Sequence, residues 1–81
     1  MNPAEIRATA IAILLSIAPE VEATALRDDR PLRRQVDLDS MDWLNFLLGL
    51  NGRFGVEIPE ADYVKLVTLG DVVDYLARRM R

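Results

Sequence analysis

An 81-residue chain without cysteine forms a single domain over residues 1–81, near the lower size at which one core holds a fold with no disulfide or metal staple. The absence of histidine as well excludes thiolate and imidazole metal sites, His-based acid–base chemistry and the usual catalytic triads. Thirteen acidic against ten basic residues give a net charge of -3, which argues against a nucleic-acid partner.

In chain order, Asn2-Pro3-Ala4-Glu5 signals a helix start: a capping residue, proline at the first helical position and a glutamate that can cap back. Ile6, Ala10, Ile13 and Ile17 share one face, and Ile11 and Leu15 lie opposite. This first helix is therefore apolar nearly all round and is expected to be covered on both sides. Its apolar run, Ala8 to Ala18, has the length of a secretory signal core. Glu5 offsets Arg7, however, and no clean small-x-small cleavage site follows. The run is also too short to span a bilayer, and no membrane role is expected.

Ala18-Pro19 ends the helix, because the ring blocks continuation and restricts the residue before it. Glu20 to Asp37 reads as a long connection, polar at Arg27-Asp28-Asp29-Arg30, with Val21, Leu26, Leu32 and Val36 as inward anchors. The second main helix is expected from Ser40 to Arg53, with Gly55 as a left-handed stop. Trp43, Phe46, Leu47, Leu50 and Phe54 form its core stripe. After the extended Val56-Glu57-Ile58-Pro59, residues Glu60 to Leu66 make one short helix that turns Tyr63 and Leu66 inward. Thr68 and Asp71 form a capping box for the last helix, whose stripe is Leu69, Val72, Val73, Leu76 and Met80. No alternating strand pattern of useful length is present. The expected fold is all-α: a small four-helix bundle of three main helices plus one short helix.

The second main helix has a further apolar face. Met41, Leu44 and Leu48 cluster within about 60° of one another, away from the core stripe. A domain this small buries both faces of one helix with difficulty, so this face is expected to be exposed and to bind a partner, with Met41 as an adaptable contact. Folding of the long connection over it is the alternative. Gly49 and Gly52 each cost this helix about 1 kcal/mol relative to alanine, which implies either close approach of another backbone or tolerance of the loss. From Asp37 to Asp62 there are six acidic residues and one basic residue, Arg53, while Arg78, Arg79 and Arg81 close the chain. An acidic middle suits either solubility or the steering of basic partners.

Leu38-Asp39-Ser40-Met41-Asp42-Trp43-Leu44 places a serine between two aspartates at the mouth of this helix. Alone, that pattern is what any helix N-terminus prefers. Followed by Arg53-Phe54-Gly55-Val56-Glu57-Ile58-Pro59 and by Thr68-Leu69-Gly70-Asp71-Val72-Val73-Asp74-Tyr75-Leu76, it resembles an acyl carrier protein over nearly the whole chain, most closely from Val36 to Leu76.

The resemblance implies that Ser40 carries a 4′-phosphopantetheine arm, taken from coenzyme A by a separate phosphopantetheinyl transferase, with Asp39 beside it. Acyl groups would be held as thioesters on the arm's thiol, so the chain would be a cytoplasmic, monomeric carrier and not an enzyme. Its partners would be acyl ligases or synthases of fatty-acid, polyketide or other specialised acyl metabolism, met through Met41, Asp42, Leu44 and Leu48. The absence of an acid after Asp42 in the second helix departs from the family's usual pattern and points to a dedicated ligase or synthase. Phe46, Leu47, Leu50, Val73 and Leu76 would line a groove for the acyl chain, and Trp43 would report on the arm by fluorescence. The competing reading is a small helical adaptor that binds one protein through Met41, Leu44 and Leu48 and carries no prosthetic group.

Overall fold

The computed structural model describes residues 1–80; Arg81, the last of the basic residues at the end of the chain, lies outside them. Helix α1 spans Pro3–Ile17, and its start is the reciprocal cap expected from the sequence. Asn2 Oδ1 accepts from the Glu5 N–H at 2.9 Å, and Glu5 Oε1 accepts from the Asn2 N–H at 3.2 Å. Two of the N–H groups that a helix start leaves unpaired are thereby satisfied.

The connection that follows is partly helical. A 3₁₀ turn at Ala23–Ala25 and the one-turn helix α2, Leu32–Gln35, break it up. Then come α3 (Ser40–Phe54), a 3₁₀ segment (Glu60–Lys65) and α4 (Leu69–Arg79). Three long helices and short helical turns make the all-α bundle. Pairing of β type is limited, among the described residues, to one isolated bridge between Pro31 and Thr68. No helix of the described residues is long and apolar enough to cross a membrane.

Helix α1 packs against both α3 and α4 and forms the centre of the bundle. Ile6, Ala10 and Leu14 are fully buried, together with Phe46 and Leu50 of α3 and Leu69 of α4. Each large side chain buried in this way contributes about 1.5–3 kcal/mol relative to exposure. The buried arc of α1 differs from the expected one. It runs from Ile6 through Ala10 and Leu14 to Ile11, which was expected opposite, while Ile13, Leu15 and Ile17 are only partly buried. Nor is the helix covered all round, since Ala8, Ala12 and Ser16 face solvent. Alanines on the outside, rather than a second covering layer, explain why its sequence lacks a polar face.

The long connection is held by polar ties to α1 and to the start of α4. Arg7 on α1 makes a forked pair with Asp28, its Nε 2.9 Å from Oδ2 and its Nη2 2.9 Å from Oδ1. The Gly70 N–H, in the first turn of α4, donates to the Asp28 carbonyl at 3.0 Å, and the Leu32 N–H donates to the Val67 carbonyl at 2.8 Å. The Gln35 side chain accepts from the Arg27 N–H and donates to the carbonyls of Arg27 and Arg30, which closes the loop on itself. Leu32, Val36 and Leu38 are buried beneath these ties.

The 3₁₀ segment is fastened to α4 by a second polar cluster. Tyr75 Oη donates to Asp62 Oδ2 at 2.6 Å, Arg79 Nη2 reaches the same oxygen at 3.1 Å, and Lys65 Nζ lies 3.3 Å from Oδ1. The Tyr75 bond is the main reason the Asp62 carboxyl is held below the usual carboxylate range. The Arg79 guanidinium also stacks over the Tyr75 ring at 4.5 Å. Inside the cluster Tyr63 is half-buried and Leu66 is buried, as their spacing requires.

The two glycines of α3 have different causes. A Cβ on Gly49 would sit 2.7 Å from Ile13 Cγ2, so the missing side chain is what lets α1 approach this closely. A Cβ on Gly52 would meet nothing within 4 Å. Gly52→Ala is therefore expected to stabilise the fold by about 0.5–1 kcal/mol through helix propensity. Gly49→Ala is expected to destabilise it by about 1 kcal/mol or more, because overpacking against a β-branched neighbour outweighs that gain. Chemical denaturation of both variants checks the opposite signs.

Candidate functional site

Ser40 opens α3, and the local chain fixes it there. Asp39 is the cap: its backbone is extended (φ -76°, ψ 179°) and its Oδ1 accepts from the Asp42 N–H at 2.8 Å. The Asp39 carbonyl then receives the Trp43 N–H at 2.9 Å, the first bond of the helix. Gly55 ends the helix with φ 65°, the left-handed conformation that a side chain resists, and its N–H donates to Asn51. A 15-residue helix is thus capped at both ends, with Ser40 as its first residue.

Ser40 is exposed, and among the described residues neither its hydroxyl nor the N–H groups of Ser40 and Met41 have a protein hydrogen-bond partner. Two free N–H groups at the positive end of a helix dipole, beside a free hydroxyl, suit a phosphate attached at that oxygen. The surface clefts around Tyr75, Leu26 and Ile13 do not include Ser40. The serine stands on an open surface where another protein can reach it.

With Ser40 as origin and 100° per residue, the buried side chains Phe46, Leu47 and Leu50 fall between about -120° and -20°. Met41, Leu44 and Leu48 fall between about 40° and 100°. The second group is exposed to 65%, 38% and 55%, so the long connection does not fold over it. Ser40 lies at the seam between the buried and exposed faces. Asp42 differs from its counterparts in the other long helices. Glu5 and Asp71 cap back onto their own helix starts, whereas Asp42 makes no such reciprocal bond and its carboxylate stays uncommitted.

Phe46, Leu47, Leu50, Val73 and Leu76 are all buried. They pack as core, and a chain entering between α3 and α4 would have to displace them. Trp43 is half-buried one turn into α3, with its ring 5.4 Å from Phe46.

Arg33 was not legible from its local sequence. Its guanidinium lies 5.7 Å from the centre of the Trp43 ring, and its Nη2 donates to the Leu38 carbonyl at 3.4 Å. The only sequence trace is a basic pair, Arg33-Arg34, just ahead of an acidic stretch.

Comparison with known proteins centres on the same segment. The family model "Phosphopantetheine attachment site" matches residues 9–76. An acyl carrier protein of Lactobacillus acidophilus is 35% identical over 57 residues, covering 70% of this chain and 71% of that protein. One from Campylobacter hominis is 34% identical over 62 residues, covering 76% and 73%, and one from Lactobacillus johnsonii is 32% identical over 66 residues, covering 82% of both. A solved acyl carrier protein structure from Enterococcus faecalis superposes with a TM-score of 0.75 at 27% identity, over 98% of this chain and 99% of the other.

The cap on which the serine's position depends can be tested directly. Asp39→Ala is expected to cost about 1 kcal/mol of stability, and Asp39→Asn to retain most of it, since an amide oxygen caps almost as well. Thermal or chemical unfolding of the two variants reads the difference.

Proposed function

The chain belongs to the acyl carrier protein family, and on that premise we propose that Ser40 is the attachment point of a 4′-phosphopantetheine arm and that the protein is a discrete acyl carrier. The observation that carries this is an exposed, unbonded Ser40 hydroxyl at the first position of a long capped helix, inside the matched region. When attached, the arm supplies a terminal thiol that holds an acyl group as a thioester. The chain itself has no histidine to take the serine proton, so activation falls to a separate transferase acting on the open surface, with coenzyme A as donor. The free N–H groups of Ser40 and Met41 and the dipole of α3 would hold its phosphate, while Asp39 keeps the helix start in place.

Met41, Leu44 and Leu48, with the uncommitted Asp42 at one end, are the surface offered to the transferase and to acyl ligases or synthases. After Asp42 the helix carries no acid, and its outer face is made of apolar side chains, Asn45 and Asn51. Recognition would therefore rest more on apolar burial than on charge, with weak dependence on salt. This favours a dedicated partner over enzymes that read an acidic helix. The acyl chain is expected to enter between α3 and α4 only by parting Phe46, Leu50 and Leu76.

Intact mass, measured before and after incubation with coenzyme A and a broad-specificity phosphopantetheinyl transferase, tests the attachment. One phosphopantetheine should be gained by the wild type and none by Ser40→Ala. A folded wild type that gains nothing, also in lysate of its source, would leave the adaptor in place of the carrier. Leu48→Asp, on the exposed face, is expected to lower kcat/KM for loading about tenfold, equivalent to ~1.4 kcal/mol. Its circular dichroism should be unchanged, and the wild-type kcat/KM should vary little between low and physiological salt.

A further inference from the structure

We propose that Arg33 is a phosphate-binding residue of the Ser40 site, contributed by the long connection rather than by α3. The inference rests on the carrier reading and adds to it the side chain that neutralises the phosphodiester.

The charge around Ser40 favours such a residue. Asp37, Asp39 and Asp42 all lie within three residues of it, and Asp37 and Asp39 are exposed. A phosphodiester on Ser40 adds a further negative charge to this group. The two free N–H groups and the dipole of α3 offset only part of it, roughly half a charge. A cation held beside the site would offset more of it.

Arg33 is the cation the fold holds at that place. Its contacts bracket Ser40 in the chain: the Leu38 carbonyl two residues before it, and the Trp43 ring three residues after it. From Ser40 to Trp43 the helix rises about 4.5 Å, so a guanidinium that reaches the Leu38 carbonyl and the Trp43 ring lies alongside the first turn of α3. It is also unspent. Ion pairs among the described residues engage Arg7, Arg27, Lys65 and Arg79, and none engages Arg33 despite the acids nearby. Of its five N–H donors, one makes a single long bond of 3.4 Å to a backbone carbonyl. The contact with the Trp43 ring keeps the guanidinium near the start of α3, and its planar fork matches two phosphate oxygens at once. Arg33 and its neighbour Arg34 are both exposed, but only Arg33 has such a tether.

The position of Arg33 depends on the polar ties described above. Buried Leu32 and Val36 and the Leu32–Val67 hydrogen bond anchor the one-turn helix that carries it. The residue thus belongs to the framework of the bundle, and loading should change its bonding partner more than its location.

The test compares loaded and unloaded protein for the wild type, Arg33→Gln and Arg33→Lys. Loading is followed by intact mass, and the loaded fraction of each is purified. In the wild type, loading should move the Arg33 Nε–Hε resonance downfield and change Trp43 emission. The ³¹P resonance of loaded Arg33→Gln should differ from that of the wild type, with Arg33→Lys between them. Arg33 serving only to stiffen the junction before α3 would leave the phosphorus shift the same in all three. That result, or an Arg33 resonance unmoved by loading, overturns the inference while the mass gain upholds the carrier reading. A wild type that gains no mass overturns both. Should Arg33→Gln fail to fold, the wild-type Arg33 resonance and the lysine variant decide alone.

Discussion

The bundle depends on one close contact, the approach of α1 to α3 at Ile13 and Gly49. Helix α1 packs on both other long helices through a buried arc of Ile6, Ala10, Leu14 and Ile11, with the small Ala10 within it. A side chain at Gly49 would hold the two helices apart, since its Cβ would fall 2.7 Å from Ile13. With the helices this close, α3 must turn Phe46, Leu47 and Leu50 inward. Met41, Leu44 and Leu48 then have no core left to join. The exposed apolar face of α3 follows from how the core was filled.

Ser40 takes its character from that same division. It sits on the boundary between the buried and exposed arcs of α3, so its hydroxyl meets solvent while its backbone is held by a capped helix. A residue further into the buried arc would be out of reach of another protein. One further along the exposed arc would sit among the exposed apolar side chains. At the seam, the proposed attachment point, the framework and the start of the exposed face share a single turn of helix.

Polar ties carry what the small core cannot. The fork between Arg7 and Asp28 is exposed enough (37% and 46%) that its energy is small, on the order of 0–1 kcal/mol. Its importance lies in geometry. Together with the Gly70 and Leu32 backbone bonds, it fixes a connection that would otherwise have many conformations. The Asp62 cluster does the same for the 3₁₀ segment, which has no buried residue of its own between Glu60 and Lys65. Two stretches of irregular chain are in this way held against α4, one of them bearing the arginine beside Trp43.

The sequence by itself determined where the long helices begin and end, which stripes of α3 and α4 turn inward, and that Ser40 stands first in α3. Caps, left-handed glycine stops and helical periodicity act within a few residues, so Asn2 with Glu5, Thr68 with Asp71, Asp39 and Gly55 could be read directly. Helix α1 was legible in its limits but not in its orientation. With apolar residues on every side and alanine outside, its pattern did not single out Leu14 over Ile13 or Ile17. The tertiary structure decided that orientation, the helical turns inside the long connection, and the pairs Arg7 with Asp28, Asp62 with Tyr75 and Arg33 with Trp43. Their partners lie 21, 13 and 10 positions apart. No local propensity acts over such separations; only the packing of α1 against α3 and α4 brings them within reach.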